Sequence, residues 1–106
     1  EGSSNKMGNE NTNFSNKLKS EIKLFQNIPN PFSHNTDIQY YLPDKVSNAS
    51  IIVYDLQGKE IKKFDGLQKG DNKVTINGGE LYAGMFVYAL IADGELIGSK
   101  QMVLTK

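Results

Sequence analysis

The sequence predicts an all-β domain, an immunoglobulin-like sandwich of seven antiparallel strands that follows a flexible N-terminal tail. Short segments rich in β-branched and aromatic residues recur about every ten residues from position 22 onward, and glycine-bearing turns separate them. The chain contains neither cysteine nor tryptophan. The Cys-Trp-Cys core of antibody domains is therefore absent, and the predicted likeness is one of architecture.

Residues 1–21 differ from the rest of the chain because they are rich in Asn, Ser, Gly and Lys. Only Met7, Phe14 and Leu18 are apolar among the first 20 residues. Such a segment cannot bury enough apolar surface to offset the entropy of ordering its backbone. We therefore interpret residues 1–21 as a linker, disordered or partly helical, and residues 22–106 as the folded domain.

Two prolines stiffen the entry into this domain. Pro29 and Pro31 lie two residues apart within the segment Gln26–Phe32. Each ring fixes its own φ and biases the preceding residue toward extended geometry. Ile28 and Asn30 are thereby disfavoured in a helix, and the segment predicts a rigid, extended boundary between linker and domain.

In the first half of the domain, the sequence predicts one strand and one hairpin. The strand Ile38–Leu42 ends at Pro43, because proline cannot donate a hydrogen bond within a sheet. The segments Ser50–Tyr54 and Lys59–Phe64 flank Asp55–Gly58, in which the glycine is available for positive φ. This pattern is typical of two strands joined by a tight turn.

The second half predicts a strand, Asn72–Ile76, followed by a long hairpin. The segment Gly84–Ala92 is apolar on both faces, which is typical of a central strand. Asp93-Gly94 is a strong two-residue hairpin signal. The final strand then covers Glu95–Lys106, and Gly98 within it indicates a bulge or a close backbone approach.

Composition excludes several classes of function. The chain carries twelve basic and twelve acidic residues, which argues against a nucleic-acid interface or a polybasic membrane patch. The absence of cysteine excludes disulfides, thiolate metal sites and a cysteine nucleophile. No apolar run approaches the roughly 20 residues needed to cross a bilayer. The first residues lack the pattern of a signal peptide. If the domain is exported, we expect either that an export signal lies elsewhere in a longer chain or that the domain is itself a signal.

No pattern of residues predicts an active site, a metal site or a cofactor site. The single histidine, His34, lies in a loop, and no nucleophile or carboxylate is positioned beside it by a motif. Asp55, Asp65 and Asp71 are isolated turn carboxylates, favoured there because aspartate hydrogen-bonds its own backbone. We therefore expect the chain to be neither an enzyme nor a metal- or cofactor-binding protein.

The tyrosines leave one alternative open. Exposed aromatic rings could form a carbohydrate-binding face, as in an adhesin-type sandwich module of a surface protein. Tyrosine also suits half-buried strand positions, where the ring packs and the hydroxyl stays in water. We prefer this packing interpretation. The residues concerned are Tyr40, Tyr41, Tyr54, Tyr82 and Tyr88.

Five motifs closely resemble, in their order and spacing, the type A C-terminal sorting domain of type IX secretion cargo proteins from Bacteroidetes-type bacteria. The resemblance covers residues 24–106, nearly the whole predicted domain. Each motif alone is common, whereas their order and their position at the end of the sequence are specific. The motifs are Gln26–Phe32, Thr36–Tyr40 with Leu42-Pro43, Val53–Ile61, Leu81–Tyr88 and Lys100–Lys106.

The resemblance implies a seven-stranded sandwich that acts as an address behind a passenger protein. A separate amino-terminal signal would take the precursor to the periplasm, where the outer-membrane translocon and its shuttle proteins recognise the folded domain. A sortase would then cut the linker before residue 24. The passenger would reach the outer membrane and cell surface or be secreted. The resemblance implies no cofactor, no nucleic acid and no membrane insertion by the domain itself.

The resemblance also assigns sorting roles to individual positions. Many members of the family carry two adjacent lysines where this chain has Lys100-Gln101. The matching positions are Pro29, Asn30 and Pro31 in the entry motif, Gly58 and Lys59 in the central hairpin, Gly84 before the long strand, and Lys100, Met102, Val103, Leu104 and Lys106 in the terminal motif.

The last strand admits two interpretations. Met102 and Leu104 point to one face and Val103 to the other. The strand could offer its edge to a partner by strand addition. Alternatively, these three side chains could simply fill the core of the sandwich. The sequence leaves both open.

Overall fold

Seven strands form the domain within residues 17–106, the part of the chain that the computed structural model describes. The predicted linker as far as residue 16 lies outside the described residues. A single 3-10 turn, Gly78–Glu80, links the fifth and sixth strands. The strands are β1 (Lys23–Leu24), β2 (Asn35–Leu42), β3 (Ala49–Tyr54), β4 (Glu60–Phe64), β5 (Gly70–Asn77), β6 (Gly84–Ala92) and β7 (Glu95–Leu104).

The strands form two antiparallel sheets. The small sheet has the order β1-β2-β5, and the large sheet has the order β4-β3-β6-β7. The predicted all-β class and seven-stranded antiparallel arrangement are therefore confirmed for the described residues. The immunoglobulin-like label stays a prediction.

The core lies between the inward faces of the two sheets. Alternation along β2 buries Thr36, Ile38, Tyr40 and Leu42, as expected for a strand with one face in the core. β6 is paired with β3 on one side and β7 on the other. This confirms the prediction that β6 is a central strand.

The boundaries of β2, β5 and β7 differ from the prediction. β2 begins at Asn35, three residues before Ile38, and β5 extends to Gly70 and Asn77 on either side of the predicted range. The residues added to the two strands are mostly polar, but they belong to the strands because β2 and β5 pair from Asn35 and Asn77 to Leu42 and Gly70. β7 ends at Leu104, and the next residue bonds to a different partner, as described below.

Both predicted tight turns are present. Asp55 Oδ1 accepts hydrogen bonds from the N–H groups of Gln57 and Lys59, each 2.9 Å long, and Gly58 has φ +87°. Asp93 and Gly94 have φ +50° and +81°, which is the geometry of a two-residue hairpin.

The predicted bulge near Gly98 is also confirmed. Leu90 faces Gly98 while Ile91 faces Leu96. Ile97 is therefore an extra residue in β7.

A short helical segment at residues 17–21 precedes β1. Leu18 packs against the core, and Ile22 is buried. Lys19 Nζ lies 2.6 Å from Glu95 Oε1, but both side chains are about half exposed, so the apolar contacts hold this segment better than the ion pair does. None of the helices in the described part of the chain is long and apolar enough to span a membrane.

We predict that Gly78→Ala destabilises the domain by about 1–3 kcal/mol, because the added methyl group overpacks its site. A Cβ at Gly78 would lie 2.5 Å from the backbone oxygen of His34. Gly98→Ala is the matched control, since a Cβ there meets no heavy atom within 4 Å. Urea denaturation of the two variants measures the difference. Equal stabilities would contradict the close packing at Gly78.

Candidate functional site

The entry motif and the terminal motif, which lie at opposite ends of the domain sequence, meet in the structure. We call residues 26–32 the strap, because this segment runs from β2 to the free edge of β7. Phe32 N donates to the Val103 carbonyl at 2.9 Å, and Thr105 N donates to the Phe32 carbonyl at 2.8 Å. Phe32 and Leu104 thereby form a parallel bridge. The strap acts as a very short additional strand beside β7.

Side-chain amides of the strap extend this contact. Asn30 Oδ1 accepts a hydrogen bond of 3.0 Å from Val103 N, and Gln26 Nε2 donates to the Gln101 carbonyl at 2.7 Å. Both backbone groups of Val103 that face away from β6 are thus bonded within the molecule. The edge of β7 at Val103 is therefore not open to strand addition.

The strap connects the two sheets. Its first part follows β2: Phe25 N, just before the strap, donates to Gln39 O at 3.0 Å, and Ile28 within the strap exchanges two bonds of 3.0 and 2.9 Å with Asp37. After residue 28 the chain crosses to β7. The strap therefore joins the β1 edge of the small sheet to the β7 edge of the large sheet, and it closes one side of the sandwich.

The two prolines lie at this crossing. Pro29, Asn30 and Pro31 are exposed, and the peptide bonds before both prolines are cis. Proline has no backbone N–H. Pro29 and Pro31 therefore leave no backbone donor that needs a partner at this crossing, while the carbonyl of Pro29 accepts from Asn27 Nδ2 and Thr36 Oγ1, at 3.1 and 2.7 Å.

A buried polar cluster anchors the beginning of the strap. Asn27 is 1% exposed, and its N–H donates to the Tyr88 hydroxyl at 2.8 Å while its Nδ2 donates to Thr36 Oγ1 at 3.0 Å. The Tyr88 hydroxyl in turn donates to the Phe25 carbonyl at 2.7 Å. Among the described residues, no buried side-chain nitrogen or oxygen lacks a partner, so this cluster is fully hydrogen-bonded.

Burial changes the acidity of Tyr88. Desolvation raises the pKa of its hydroxyl to about 12, while the hydrogen bond from the Asn27 N–H acts in the opposite direction. The hydroxyl is consequently protonated, and able to donate to Phe25, throughout the physiological pH range.

Phe32 anchors the other end of the strap in the core. It is 2% exposed, and its ring lies beside Leu104 and above Gly78. The N–H of Gly78 donates to the His34 carbonyl at 2.6 Å. Glycine is required at position 78 because the His34 carbonyl, the Leu104 side chain and the Phe32 ring occupy the space that a side chain would need.

The terminal motif divides between the core and the surface. Met102 and Leu104 are 0% and 1% exposed, which supports the core-filling interpretation of these two residues. Val103 and Lys100 are half-buried, and Lys100 lies opposite Tyr88 in the β6–β7 pair. Lys106 Nζ donates to the Leu81 carbonyl.

Most predicted sorting positions gather at one end of the large sheet, which we call the motif end. Gly84 pairs with Leu104, and Tyr54 at the end of β3 pairs with Val87 near the start of β6. The β3–β4 turn that contains Gly58 and Lys59 therefore lies at the same end as Gly84 and Lys106. Lys100 lies nearer the middle of β7.

Other sequence candidates are dispersed. Tyr40 and Tyr88 are buried, Tyr82 is 91% exposed, and the half-buried Tyr41 and Tyr54 lie on the outward faces of different sheets. The tyrosines therefore form no single platform for a sugar.

The ionisable candidates form no site either. The ring of His34 is exposed, and its Nδ1 lies 3.0 Å from Ser33 Oγ. Among residues 17–106, no three His, Asp or Glu side chains come together as a possible metal site.

Sequence reasoning missed four residues that build the site: Asn27, Thr36, Gly78 and Tyr88. Asn27 belongs to a motif that was recognised, and Gly78 to a predicted strand break. Their roles depend on contacts between residues that are distant in sequence, which no local pattern reveals. Asn27 and Tyr88, for example, lie 61 positions apart.

The fold and the site define a small all-β domain in which two distant sequence motifs form one structural unit. A family model described as "Secretion system C-terminal sorting domain" matches residues 27–105. The match covers more than half of the chain, and the chain belongs to this family of type IX secretion sorting domains. The chain is thus a sorting signal of a protein that is exported to the cell surface or secreted. No curated protein matches the chain.

We predict that Tyr88→Phe lowers the free energy of unfolding by about 1–3 kcal/mol, because the Asn27 N–H and the Phe25 carbonyl lose their buried partner. Tyr54→Phe is the control, since Tyr54 is only half-buried on the outward face. Chemical denaturation at neutral pH compares the two variants.

We also predict that the stability difference between the wild type and Tyr88→Phe depends on pH. The folded pKa of Tyr88 is about 12, above the value of about 10 in an unfolded chain. The stability that depends on the protonated hydroxyl is fully present below pH 10 and is lost as the pH rises toward 12. The advantage of the wild type over Tyr88→Phe should shrink across this interval. A constant difference would show that the hydroxyl is not buried as described.

Proposed function

We propose that the outer-membrane translocon of the type IX system and its shuttle proteins recognise this folded domain in the periplasm, and that a sortase then removes it. One observation supports the proposal most strongly: the strap is hydrogen-bonded to the edge of β7. Asn30 and Val103 lie 73 positions apart in sequence and share a hydrogen bond. The motifs that the resemblance identifies thus come together only when the whole domain has been made and has folded.

The placement of the linker fits this role. Leu18 and Ile22 pack beside Ala92 and Ile97, next to the β6–β7 hairpin. β6 runs from Gly84 to Ala92, so the linker enters at the end of the large sheet opposite to the motif end, about 25 Å away at 3.3 Å per residue. A partner could hold the motif end without covering the linker.

The same contacts limit where a sortase can cut. A protease binds its substrate as an extended, accessible chain. Leu18 and Ile22 are held against the core. We therefore expect the cut on the N-terminal side of residue 18.

A reporter carrying a periplasmic signal, fused ahead of residues 1–106, tests the proposal. In a type IX-competent host we expect the reporter at the cell surface or in the medium, and its mass should lack residues 18–106. In an isogenic host without the translocon it should stay in the periplasm with the domain attached.

Two results would contradict the proposal. A reporter that remains periplasmic in the competent host is not addressed by this domain. A reporter that reaches the surface in both hosts uses another route. Retention of the full domain on the exported reporter would overturn the removal step alone.

A further inference from the structure

Exposed apolar side chains gather around one cleft at the motif end. Among residues 17–106, seven large hydrophobic residues are exposed, and four of them line a cleft of about 360 Å³ between the β3–β4 turn and the loop before β6. They are Tyr82 (91% exposed), Leu56 (62%), Met85 (40%) and Ile61 (37%). Single exposed hydrophobic residues are ordinary, whereas a cluster around a concave surface indicates a binding site.

The walls of the cleft are fixed by the fold. The Asp55 carboxylate holds the β3–β4 turn through the N–H groups of Gln57 and Lys59. On the other side, Lys106 bonds to the carbonyl of Leu81. Leu81 and Phe86, which also line the cleft, are 8% and 6% exposed. The cleft is therefore preformed, which reduces the entropy cost of binding.

The charges around the cleft indicate what chemistry it accepts. The lining side chains that carry a charge at neutral pH are Asp55 and Glu80, both acidic, while Lys106 at the edge is engaged with the Leu81 carbonyl. Glu80 Oε1 lies 3.2 Å from Lys62 Nζ, but more than half of the Glu80 side chain is exposed. Because exposed ion pairs are weak, Glu80 remains able to accept a second cation. The apolar floor and the acidic rim together complement an apolar side chain flanked by a basic one.

We propose that this cleft is the surface by which the secretion machinery grips the domain, and that the partner inserts an aliphatic or aromatic side chain next to a lysine or arginine. This inference rests on the proposed function. It locates recognition in Leu56, Ile61, Tyr82 and Met85, whereas the strap and β7 act indirectly by holding the motif end together.

The chain supplies a matched control for the apolar part of this site. Leu96 is 61% exposed, almost the same as Leu56, but it lies near the start of β7, beside the β6–β7 hairpin. An aspartate at either position adds one charge to an exposed leucine site. The two variants therefore differ chiefly in which end of the sheet is altered.

The test uses the reporter fusion in the competent host. We expect Leu56→Asp to lower surface delivery about tenfold or more, as removal of a hot-spot side chain does, and Leu96→Asp to match the wild type. Both purified chains should unfold at the wild-type temperature. Normal delivery of Leu56→Asp, or an equal loss in both variants, would overturn the proposal. Failure of the wild type to be delivered would instead overturn the proposed function.

The acidic rim is tested separately. Glu80→Gln should lower delivery several-fold because a basic partner residue loses its counter-charge. Asp65→Asn is the control: Asp65 is also an exposed carboxylate near a β4 lysine, 3.6 Å from Lys63. Equal delivery of these two variants would overturn the basic part of the proposed partner.

Other occupants of the cleft are distinguished in the purified chain. Tyr82 should react with tetranitromethane as fast as a free tyrosine, with the modified position read by mass spectrometry, and the chain should be a monomer by light scattering. Protection of Tyr82 would assign the cleft to residues 1–16 or to a second copy. A dimer that Leu56→Asp dissociates would assign it to a second copy, and either result would overturn the proposal.

Discussion

The pairing of the strap with β7 is the contact on which the rest of the structure depends. Phe32 exchanges backbone bonds with Val103 and Thr105, and Asn30 satisfies the remaining outward donor of Val103. An exposed strand edge is a site for unwanted pairing. The strap covers this edge from within the same chain, and it also brings Phe32 into the core that Leu104 shares.

This pairing imposes constraints far from the prolines. To reach β7, the chain must leave β2 after residue 28, and the backbone groups released at that point need buried partners. Asn27 and Thr36 supply them for the Pro29 carbonyl, and Tyr88 does so just before the crossing, for the Asn27 N–H and the Phe25 carbonyl. Gly78 must in turn leave room for Phe32. The exposed prolines are thus supported by a set of residues on β2, β6 and the 3-10 turn, and this set fixes the ends of the strands at the motif end.

Local patterns in the sequence were sufficient to predict the strands and turns that depend on neighbours in sequence. β6, the Asp93-Gly94 hairpin and the Asp55–Gly58 turn follow from apolar runs and turn chemistry. The start of β2 was missed because Asn35, Thr36 and Asp37 are polar, although Thr36 is buried. Its polarity concealed the start of this strand: the backbone pairs with β5, and the Thr36 hydroxyl is buried because it bonds to Asn27 and Pro29 of the strap.

For the site formed by the strap and β7, the sequence indicated which positions matter but not that they are in contact. Resemblance marked Pro29–Pro31 and Lys100–Lys106, but no periodicity predicts that a short proline-containing segment pairs in parallel with a strand more than 70 residues away. The exposed cleft was equally hidden, because Leu56 and Tyr82 lie in turns that pattern analysis treats as connections. Amide hydrogen exchange by NMR tests the central pairing most directly. The amides of Phe32, Val103 and Thr105 should be protected as strongly as that of Leu90 in β6, while Ser99, on the same edge of β7 beyond the strap, exchanges much faster. Exchange of Val103 and Thr105 at the rate of Ser99, with Leu90 still protected, would contradict the account.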